Sequence, residues 1–427
     1  MNVKPYPKYK PSGVEWLGAV PDHWEVRRLK YSLSQLTQKI EQRENPIALE
    51  NIESWTGRHI PTDAEFEGDG IAFDTGDILF GKLRPYLAKV LIADYPGAAI
   101  GDFFVLHPVE HMHSMFAFYY MLSRDFIDIV DGSTFGAKMP RASWEFFSNL
   151  QFFIPPFPEQ QAIAAFLDGE TGRIDTLVEK KKRLIELLKE KRLALISQVV
   201  TKGLNSSVKR KHSGVEWLGE VPAHWEVKKL KYLLKIPLQY GANEAAELDD
   251  PELPRFVRIT DVDEDGNLRD ETFRSLPAEI AKPFILEEGD ILFARSGATV
   301  GKSFFYKKSW GKSAYAGYLI RARLNQLNAY PSFINYITKS IYYKQWINSV
   351  LIQATIQNVS AEKYSLFLIA LPNFAEQQAI AAFLDRETGK IDPLMAQVET
   401  AIEKLQKYRS SLISAAVTGK IDVREAV

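Results

Sequence analysis

The segment SGATVGKS at residues 296–303 has the residue types of a phosphate-binding loop. In such loops backbone N–H groups cradle the phosphates of a nucleotide, and the lysine contacts them directly. The pattern G-x-x-x-x-G-K-S/T requires a glycine where Ser296 stands, and the equivalent segment in the first half of the chain shows no trace of it. We therefore do not expect a nucleotide-hydrolysing enzyme, although Lys302 beside Gly301 would suit another phosphate equally well.

Two further clusters have the residue types of metal sites. His107, His111 and His113 lie close together, and D-x-D-x-D-G at residues 261–266 resembles the opening of a calcium loop. The calcium loop needs a glutamate at its twelfth position, where Thr272 stands. Without cysteine or a second convergent motif, we expect solvated histidines and a tight turn.

The chain carries no recognisable catalytic set. It has no cysteine, which excludes disulfides, thiolate zinc sites and cysteine nucleophiles. It has no Asn-Pro-Pro-aromatic stretch, no Asp-Pro-Pro-Tyr stretch and no glycine-rich dinucleotide loop. We expect no catalysis and no cofactor. The absence of long apolar runs predicts a cytoplasmic protein without a membrane partner.

Charge is segregated along the 427 residues. The formal net charge is −1, yet residues 295–323 hold seven Lys or Arg and no acid, whereas residues 242–292 hold fifteen acids and five bases. A local basic surface is what neutralises phosphates, and net charge averages it away. A solvated surface explains the basic run about equally well when that run is taken alone.

An internal repeat decides the architecture. An opening segment at residues 12–31, SGVEWLGAVPDHWEVRRLKY, recurs at residues 213–232 with sixteen of twenty positions identical, and EQQAIAAFLD at residues 159–168 recurs at residues 376–385. The middles between these motifs share little beyond GDILF, so we expect one frame with two different surfaces. The repeated tryptophans are expected to pin the opening segments to their domains: Trp16, Trp24, Trp217 and Trp225.

Each EQQ motif opens a stretch with helical periodicity. The apolar positions are Ile174, Val178, Ile185, Leu188, Leu195 and Val199 in the first copy, and Ile391, Leu394, Val398, Ile402, Leu405, Leu412 and Ala416 in the second. We expect an irregularity at each Thr-Gly pair, because glycine weakens a helix by roughly 1 kcal/mol. Helical patches are also expected at residues 114–130 and 331–351.

The fold class expected is therefore α+β. It consists of two globular β-rich domains separated by two long antiparallel helices, related by a pseudo-twofold internal repeat. A straight stretch of 25 to 30 helical residues would span roughly 40 Å, close to one turn of DNA. The alternative is that each helix packs only on its own globule.

The two copies of SGVEWLG-x-VP-x-HWEV, GDILF and EQQAIAAFLD resemble the specificity subunits of type I restriction-modification systems over essentially the whole chain. The resemblance implies target recognition domains at 1–157 and 205–374, each with its opening segment, and conserved spacer helices at 158–204 and 375–427. It also implies a bipartite double-stranded DNA target, two methyltransferase (modification) subunits and two ATP-dependent translocase-nuclease (restriction) subunits. Catalysis would belong to those partners.

Candidate DNA contacts lie in loops beside the shared GDILF strand and in one earlier turn. Arg and Lys read guanine, Asn and Gln read adenine, and Lys, Ser and Thr hold phosphates. The first-domain candidates are Arg58, Lys82, Arg84, Tyr86, Lys89, Ser133, Thr134, Lys138 and Arg141. The second-domain candidates are Arg295, Ser296, Thr299, Lys302, Ser303, Gln353, Thr355, Gln357 and Asn358.

Two other functions stay open at this point. A relative that binds DNA without a modification partner, or a scaffold that joins proteins through its helices, would share the repeat. An ATP-dependent or metal-dependent enzyme would have to bind nucleotide or metal as the isolated chain. Salt-dependent, sequence-specific DNA binding distinguishes a specificity subunit from a scaffold.

Overall fold

The computed structural model describes residues 4–14, 18–41, 45–62, 69–136, 138–263, 266–297, 299–352 and 357–424. The chain forms two compact units. Unit 1 comprises Met1–Lys182 and Glu399–Val427, and unit 2 comprises Arg183–Val398. Each unit thus combines one copy of the duplicated middle with parts of both long helices.

Unit 1 is a mixture of short strands and helices. Its strands are β1 (Tyr9–Pro11), β2 (Ala19–Pro21), β3 (Glu25–Arg28), β4 (Leu33–Leu36), β5 (Lys39–Ile40), β6 (Pro46–Ile47), β7 (Gly70–Phe73), β8 (Ile78–Gly81), β9 (Val90–Ile92), β10 (Gly97–Ile100), β11 (Phe103–Pro108) and β12 (Gln151–Ile154). Its helices are α1 (Ser114–Leu122), α2 (Arg124–Gly132), α3 (Trp144–Asn149) and the first part of α4 (Phe157–Lys202).

Unit 2 repeats this plan. Its strands are β13 (Arg210–His212), β14 (Glu220–Pro222), β15 (Glu226–Lys229), β16 (Gln239–Tyr240), β17 (Arg255–Val257), β18 (Ile291–Ala294), β19 (Ser303–Phe305), β20 (Ser313–Tyr315), β21 (Leu319–Ala322) and β22 (Leu368–Leu371). Its helices are α5 (Ala278–Ala281), α6 (Pro331–Thr338), α7 (Ile341–Ile352), α8 (Ala361–Ser365) and the first part of α9 (Phe374–Val417). The two helical patches predicted from periodicity are confirmed as the pairs α1–α2 and α6–α7.

The GDILF motif forms an inner strand of an antiparallel sheet in each unit. The strand order is β4-β11-β8-β9 in unit 1 and β16-β21-β18-β19 in unit 2. Ile78 and Phe80 enter the core that includes α1 and α2, whereas Leu79 enters a second core on the opposite face. Because both faces are buried, the strand is apolar at every position instead of alternating.

The glycine and aspartate of GDILF build the turn that feeds this strand. Gly76 and Gly289 have φ of +90° and +86°, a backbone conformation that residues other than glycine rarely adopt. The carboxylate of Asp77 accepts the backbone N–H of Asp74 at 2.7 Å, and that of Asp290 accepts the N–H of Glu287 at 2.8 Å. Both carboxylates are buried, so the repeated motif is explained by turn geometry.

The EQQ motif fastens each long helix to its domain. Gln160 is buried, accepts the N–H of His113 and donates to the carbonyls of His111 and Pro155. Gln377 makes the same three kinds of contact, with Tyr330, Asn328 and Pro372. The second residue of the motif therefore satisfies loop backbone that the fold would otherwise leave unpaired.

The first residue of the motif binds the opening segment. Glu159 accepts hydrogen bonds from the Tyr6 hydroxyl at 2.6 Å and from the Trp24 indole at 3.0 Å, and it contacts His23 at 2.7 Å. Burial and the adjacent carboxylate raise the pKa of Tyr6. In the second copy Glu376 binds Trp225 and His224, and Ser207 stands at the position equivalent to Tyr6. Trp24 and Trp225 are thus confirmed as anchors.

The remaining two tryptophans differ. Trp217 packs half-buried against the core of unit 2, and Trp16 lies outside the described residues.

The long helices pair through equivalent ion pairs. In unit 1 the guanidinium of Arg409 meets Asp175 at 3.0 Å, and in unit 2 Arg192 meets Asp392 at 2.9 Å. Asp175 corresponds to Asp392, and Arg192 to Arg409, by the same 217-residue offset that relates the two EQQ motifs. The early part of α4 packs with the late part of α9, and the late part of α4 with the early part of α9, as expected for antiparallel helices.

Two details of the predicted helices are wrong. The Thr-Gly pairs do not interrupt α4 or α9, because Thr171 and Thr388 are buried and contact the hydroxyls of Tyr119 and Tyr336. Leu394, predicted for the buried seam, is 42% exposed and follows Pro393 within the helix. Among the described residues, no helix is both long and apolar enough to cross a membrane.

We expect Glu159→Ala to destabilise unit 1 by about 2–4 kcal/mol, because it leaves two buried donors unpaired at roughly 1–3 kcal/mol each. The matched variant Glu376→Ala should cost about half as much, since its carboxylate has no tyrosine partner and its side chain is 25% exposed. Hydrogen exchange of the peptides containing Trp24 and Trp225, followed in urea, measures each loss. Equal losses would show that the Tyr6 bond contributes nothing.

Candidate nucleic-acid interface

The end of β8 positions three polar side chains in unit 1. Lys82 follows the strand, and its N–H donates to the carbonyl of Asp102 at 2.9 Å. Its own carbonyl accepts the N–H of Ala142 at 2.9 Å, and the neighbouring Leu83 forms a bridge with Arg141. Backbone hydrogen bonds therefore bring Lys82, Asp102 and Arg141 together from three separate segments.

Asp102 orients the two cations of this cluster. Arg141 donates to one carboxylate oxygen through Nε at 3.2 Å and Nη2 at 2.9 Å, and Lys82 Nζ lies 3.8 Å from the other oxygen. The Arg141 side chain is 53% exposed, so its guanidinium is fixed on one side and open to solvent on the other. Such an arrangement presents a pre-oriented donor group to an incoming acceptor.

Unit 2 builds the same backbone arrangement with other side chains. The N–H of Arg295 donates to the carbonyl of Tyr318 at 3.0 Å, and its carbonyl accepts the N–H of Val359 at 2.9 Å. Ser296 forms the bridge with Asn358. Arg295, Tyr318 and Asn358 thus occupy the places of Lys82, Asp102 and Arg141, respectively.

Arg295 is held by an aromatic ring. Its guanidinium lies 4.7 Å from the ring centroid of Tyr240, whose hydroxyl accepts the N–H of Ala361 at 3.0 Å. The Arg295 Nε and the Asn358 Oδ1 are buried and have no hydrogen-bond partner within the described part of the chain. Tyr318 is 65% exposed beside them.

The glycine-bearing loop predicted in unit 1 also reaches this strand end. Arg84 adopts a left-handed backbone with φ of +50°, and its N–H donates to the carbonyl of Pro140 at 2.8 Å. Its guanidinium contacts the carbonyl of Lys138, and Lys138 itself is exposed. Tyr86, in the adjoining turn, is 45% exposed. The structure therefore brings Lys82, Arg84, Lys138 and Arg141 together and places Tyr86 in the same loop.

Four of the DNA-contact candidates in unit 1 make contacts within the domain and away from the end of β8. Arg58 pairs with Asp175 at 3.5 Å and with Glu179 at 3.8 Å, both on α4. Lys89 donates to the carbonyl of Leu49 at 2.6 Å. The remaining hydroxyls, those of Ser133 and Thr134, donate to carbonyls of α2. These contacts hold the domain together, so the four residues do not join the cluster at the end of β8.

In unit 2, some of the DNA-contact candidates are exposed near the end of β18, and one is bonded within the domain. Lys302 and Gln357 are exposed, and Thr299 is half-buried in the turn before β19. Ser303 donates to the hydroxyl of Thr338 at 2.7 Å, within the domain. Two candidates fall outside the described residues, namely Gln353 and Thr355.

Asp102, Tyr318 and Tyr240 also line this surface and were not predicted from the sequence. Asp102 and Tyr318 each precede a strand that pairs with the GDILF strand, Phe103 aligning with Gly81 and Leu319 with Ala294. The two segments share only an alanine and a glycine, Ala98 and Gly101 in unit 1 and Ala314 and Gly317 in unit 2, which is too little to mark the pairing in the sequence.

The residues that suggested a phosphate-binding loop or a metal site have structural contacts instead. Gly301 and Lys302 lead into strand β19, whereas a phosphate-binding loop leads into a helix. His107 contacts the buried Asp77 at 2.7 Å, and burial lowers the pKa of His113. Asp261 is bonded by the guanidinium of Arg258. No group of three or more potential metal ligands occurs among the residues that the structure covers.

The sequence is similar to known proteins over most of its length. The family model described as "Type I restriction modification DNA specificity domain" matches residues 59–187 and 222–404. A type I restriction enzyme specificity subunit of Methanocaldococcus jannaschii, MjaVIII, is 23% identical over 95% of this chain and 94% of its own length. The EcoKI specificity subunit of Escherichia coli is 32% identical over 31% of this chain and 29% of its own length.

Solved structures show the same fold. A chain from a study of complex assembly and conformational transition of the type I R-M system aligns with a TM-score of 0.74 at 16% identity, covering 93% of this chain and 98% of that one. The HsdS subunit from Thermoanaerobacter tengcongensis aligns with a TM-score of 0.50 at 17% identity, covering 94% of this chain and 98% of that one. Because the family model covers well over half of the sequence, this chain belongs to the family of type I restriction-modification specificity subunits.

Proposed function

We propose that this chain recognises a bipartite DNA target, one half-site per recognition domain, and directs methylation and restriction by partner subunits. Type I specificity subunits are non-catalytic components of their complexes, and this chain contains two matches to the DNA specificity domain. The partners are double-stranded DNA, two modification subunits and two restriction subunits.

One observation carries the proposal. The two units present different polar side chains at the same backbone positions, Lys82, Asp102 and Arg141 in one and Arg295, Tyr318 and Asn358 in the other. Two surfaces with a common frame and different hydrogen-bonding groups suit two different half-site sequences. A homodimeric reader with identical surfaces would instead favour a palindrome.

The repeated frame supports the role of the partners. The opening segments and helix starts are nearly identical in the two copies, although the recognition loops differ. Two equivalent constant surfaces suit two copies of one modification subunit. A scaffold without DNA affinity is the second candidate, and the pairing of the long helices is the feature that favours it.

Genome-wide mapping of methylated bases tests the function. Cells that contain the chain and its modification partner should show a bipartite motif with an unspecified gap, and cells that lack the chain should not. Absence of such a motif with a demonstrably active partner would favour the scaffold.

Exchange of one recognition surface should change one half of the target. Replacing residues 32–154 with the corresponding middle from another family member is expected to alter a single half-site, because each unit carries its own core. Replacing residues 233–371 is the reciprocal control and should alter the other half. Methylation motifs measure both, and a change in both halves from one exchange contradicts independent reading.

Lengthening the helices should lengthen the gap between half-sites. Seven residues inserted after Leu188, with seven inserted after Ala396 in the facing part of α9, would add about 10 Å, or roughly three base pairs of DNA. The same seven residues inserted after Ser206, in the exposed turn that follows α4, should leave the gap unchanged. A constant gap in the helix variant would refute the spacing role of the helices.

A further inference from the structure

Three positions in each unit are equivalent by backbone hydrogen bonding. The first follows the GDILF strand (Lys82 or Arg295), the second precedes the neighbouring strand (Asp102 or Tyr318), and the third is bridged to the first loop (Arg141 or Asn358). We call each set a reading triplet. The corresponding hydrogen-bond lengths agree within 0.1 Å between the units, at 2.9 and 3.0 Å for the first bond and 2.9 Å in both for the second.

We propose that the two reading triplets are the base-reading positions of the two recognition domains, and that each reads a guanine through its arginine. This inference rests on the proposed function, since it assigns specificity within the same DNA-binding surface. It predicts at least one G·C pair in each half-site, contacted by Arg141 in one and by Arg295 in the other.

The variation within the triplets argues for bases over phosphates. The frame around them is kept, yet all three side chains differ between the units, as lysine and arginine, aspartate and tyrosine, arginine and asparagine. Contacts to phosphate carry no sequence information and give no reason for such change. Lys302, by contrast, corresponds to another lysine in unit 1, Lys89. The two positions are equivalent, since the carbonyl of each lysine accepts the N–H of the last residue of the strand that contains the GDILF motif.

Both arginines are pre-oriented for a planar acceptor edge. Asp102 grips Arg141 through Nε and Nη2, which leaves Nη1 and the second Nη2 hydrogen for guanine O6 and N7. The Arg295 guanidinium lies over the ring of Tyr240, 4.7 Å from its centroid, and no acidic residue among those described forms an ion pair with it. Elsewhere in unit 2, Arg258 and Arg323 are each neutralised by a buried aspartate.

The test uses the chain in complex with its modification partner. Oligonucleotides carry every single substitution in both half-sites, and competition binding and methylation are measured for Arg141→Ala, Arg295→Ala and Arg295→Gln. Each alanine variant should lose about 10-fold to 100-fold discrimination at one G·C pair of its own half-site and none in the other half. Arg295→Gln should shift the preference at that pair toward adenine.

Lys302→Ala provides the matched control. Its ammonium group is exposed beside the same loop, so its loss should weaken binding equally for every sequence and reduce the salt dependence by about one phosphate contact. Intact reading of the untouched half-site in each variant shows that the protein is folded.

The outcomes separate this inference from the function on which it rests. If the wild-type complex shows no sequence preference, the proposed function fails. If the wild-type complex is specific but Arg141→Ala, Arg295→Ala and Arg295→Gln keep every base preference, the reading triplets are overturned while the function stands.

Discussion

The carboxylate at the start of each long helix, buried in Glu159 and partly exposed in Glu376, is the contact on which the repeated frame depends. Burying a charge is costly unless donors surround it, and Glu159 is surrounded by Tyr6, His23 and Trp24. This single group therefore ties the opening segment to α4. The adjoining Gln160 ties α4 to the loop before α1, so two consecutive side chains orient the whole domain against its helix.

In each unit, the residues that stabilise the fold are distinct from the residues at the proposed DNA-binding surface. The turn before each GDILF strand is closed by a buried aspartate, and the strand itself is buried on both faces. The positions beyond the strand end are set by backbone N–H and carbonyl groups. Because backbone groups are the same for every residue type, the side chains there can change without altering the fold.

The helices show how one duplicated interaction adapts to different surroundings. Arg409 is 9% exposed and, besides Asp175, donates to the carbonyls of Trp55 and Thr56. Its equivalent Arg192 is 29% exposed and meets Asp392. The added carbonyl partners in unit 1 accept hydrogen bonds from both Nη groups of a guanidinium that lies deeper in the protein, which offsets part of the cost of burying its charge.

The amino-acid sequence was enough to predict the duplication, the mixed fold, the two long helices and the anchoring roles of Trp24 and Trp225. These follow from two long, nearly identical repeats and from periodicity, both of which can be read along the chain without its fold. It also pointed to Lys82 and Arg295, which follow the shared GDILF motif, and to Arg141 and Asn358, which lie in the later polar loops of the two middles. It predicted irregular helices at the Thr-Gly pairs and a buried Leu394, since periodicity does not register buried hydroxyl contacts or a proline tolerated within a helix.

Which candidate residues come together depends on the fold and could not be predicted from their spacing. Asp102 and Tyr318 join the cluster through strand pairing that two segments with little sequence in common make with the GDILF strand. Arg58 and Lys89 do not join it, because they contact α4 and the carbonyl of Leu49. Long-range pairing depends on where the backbone hydrogen bonds of distant strands are satisfied. That information lies in the packed chain as a whole and not in the spacing of its residues.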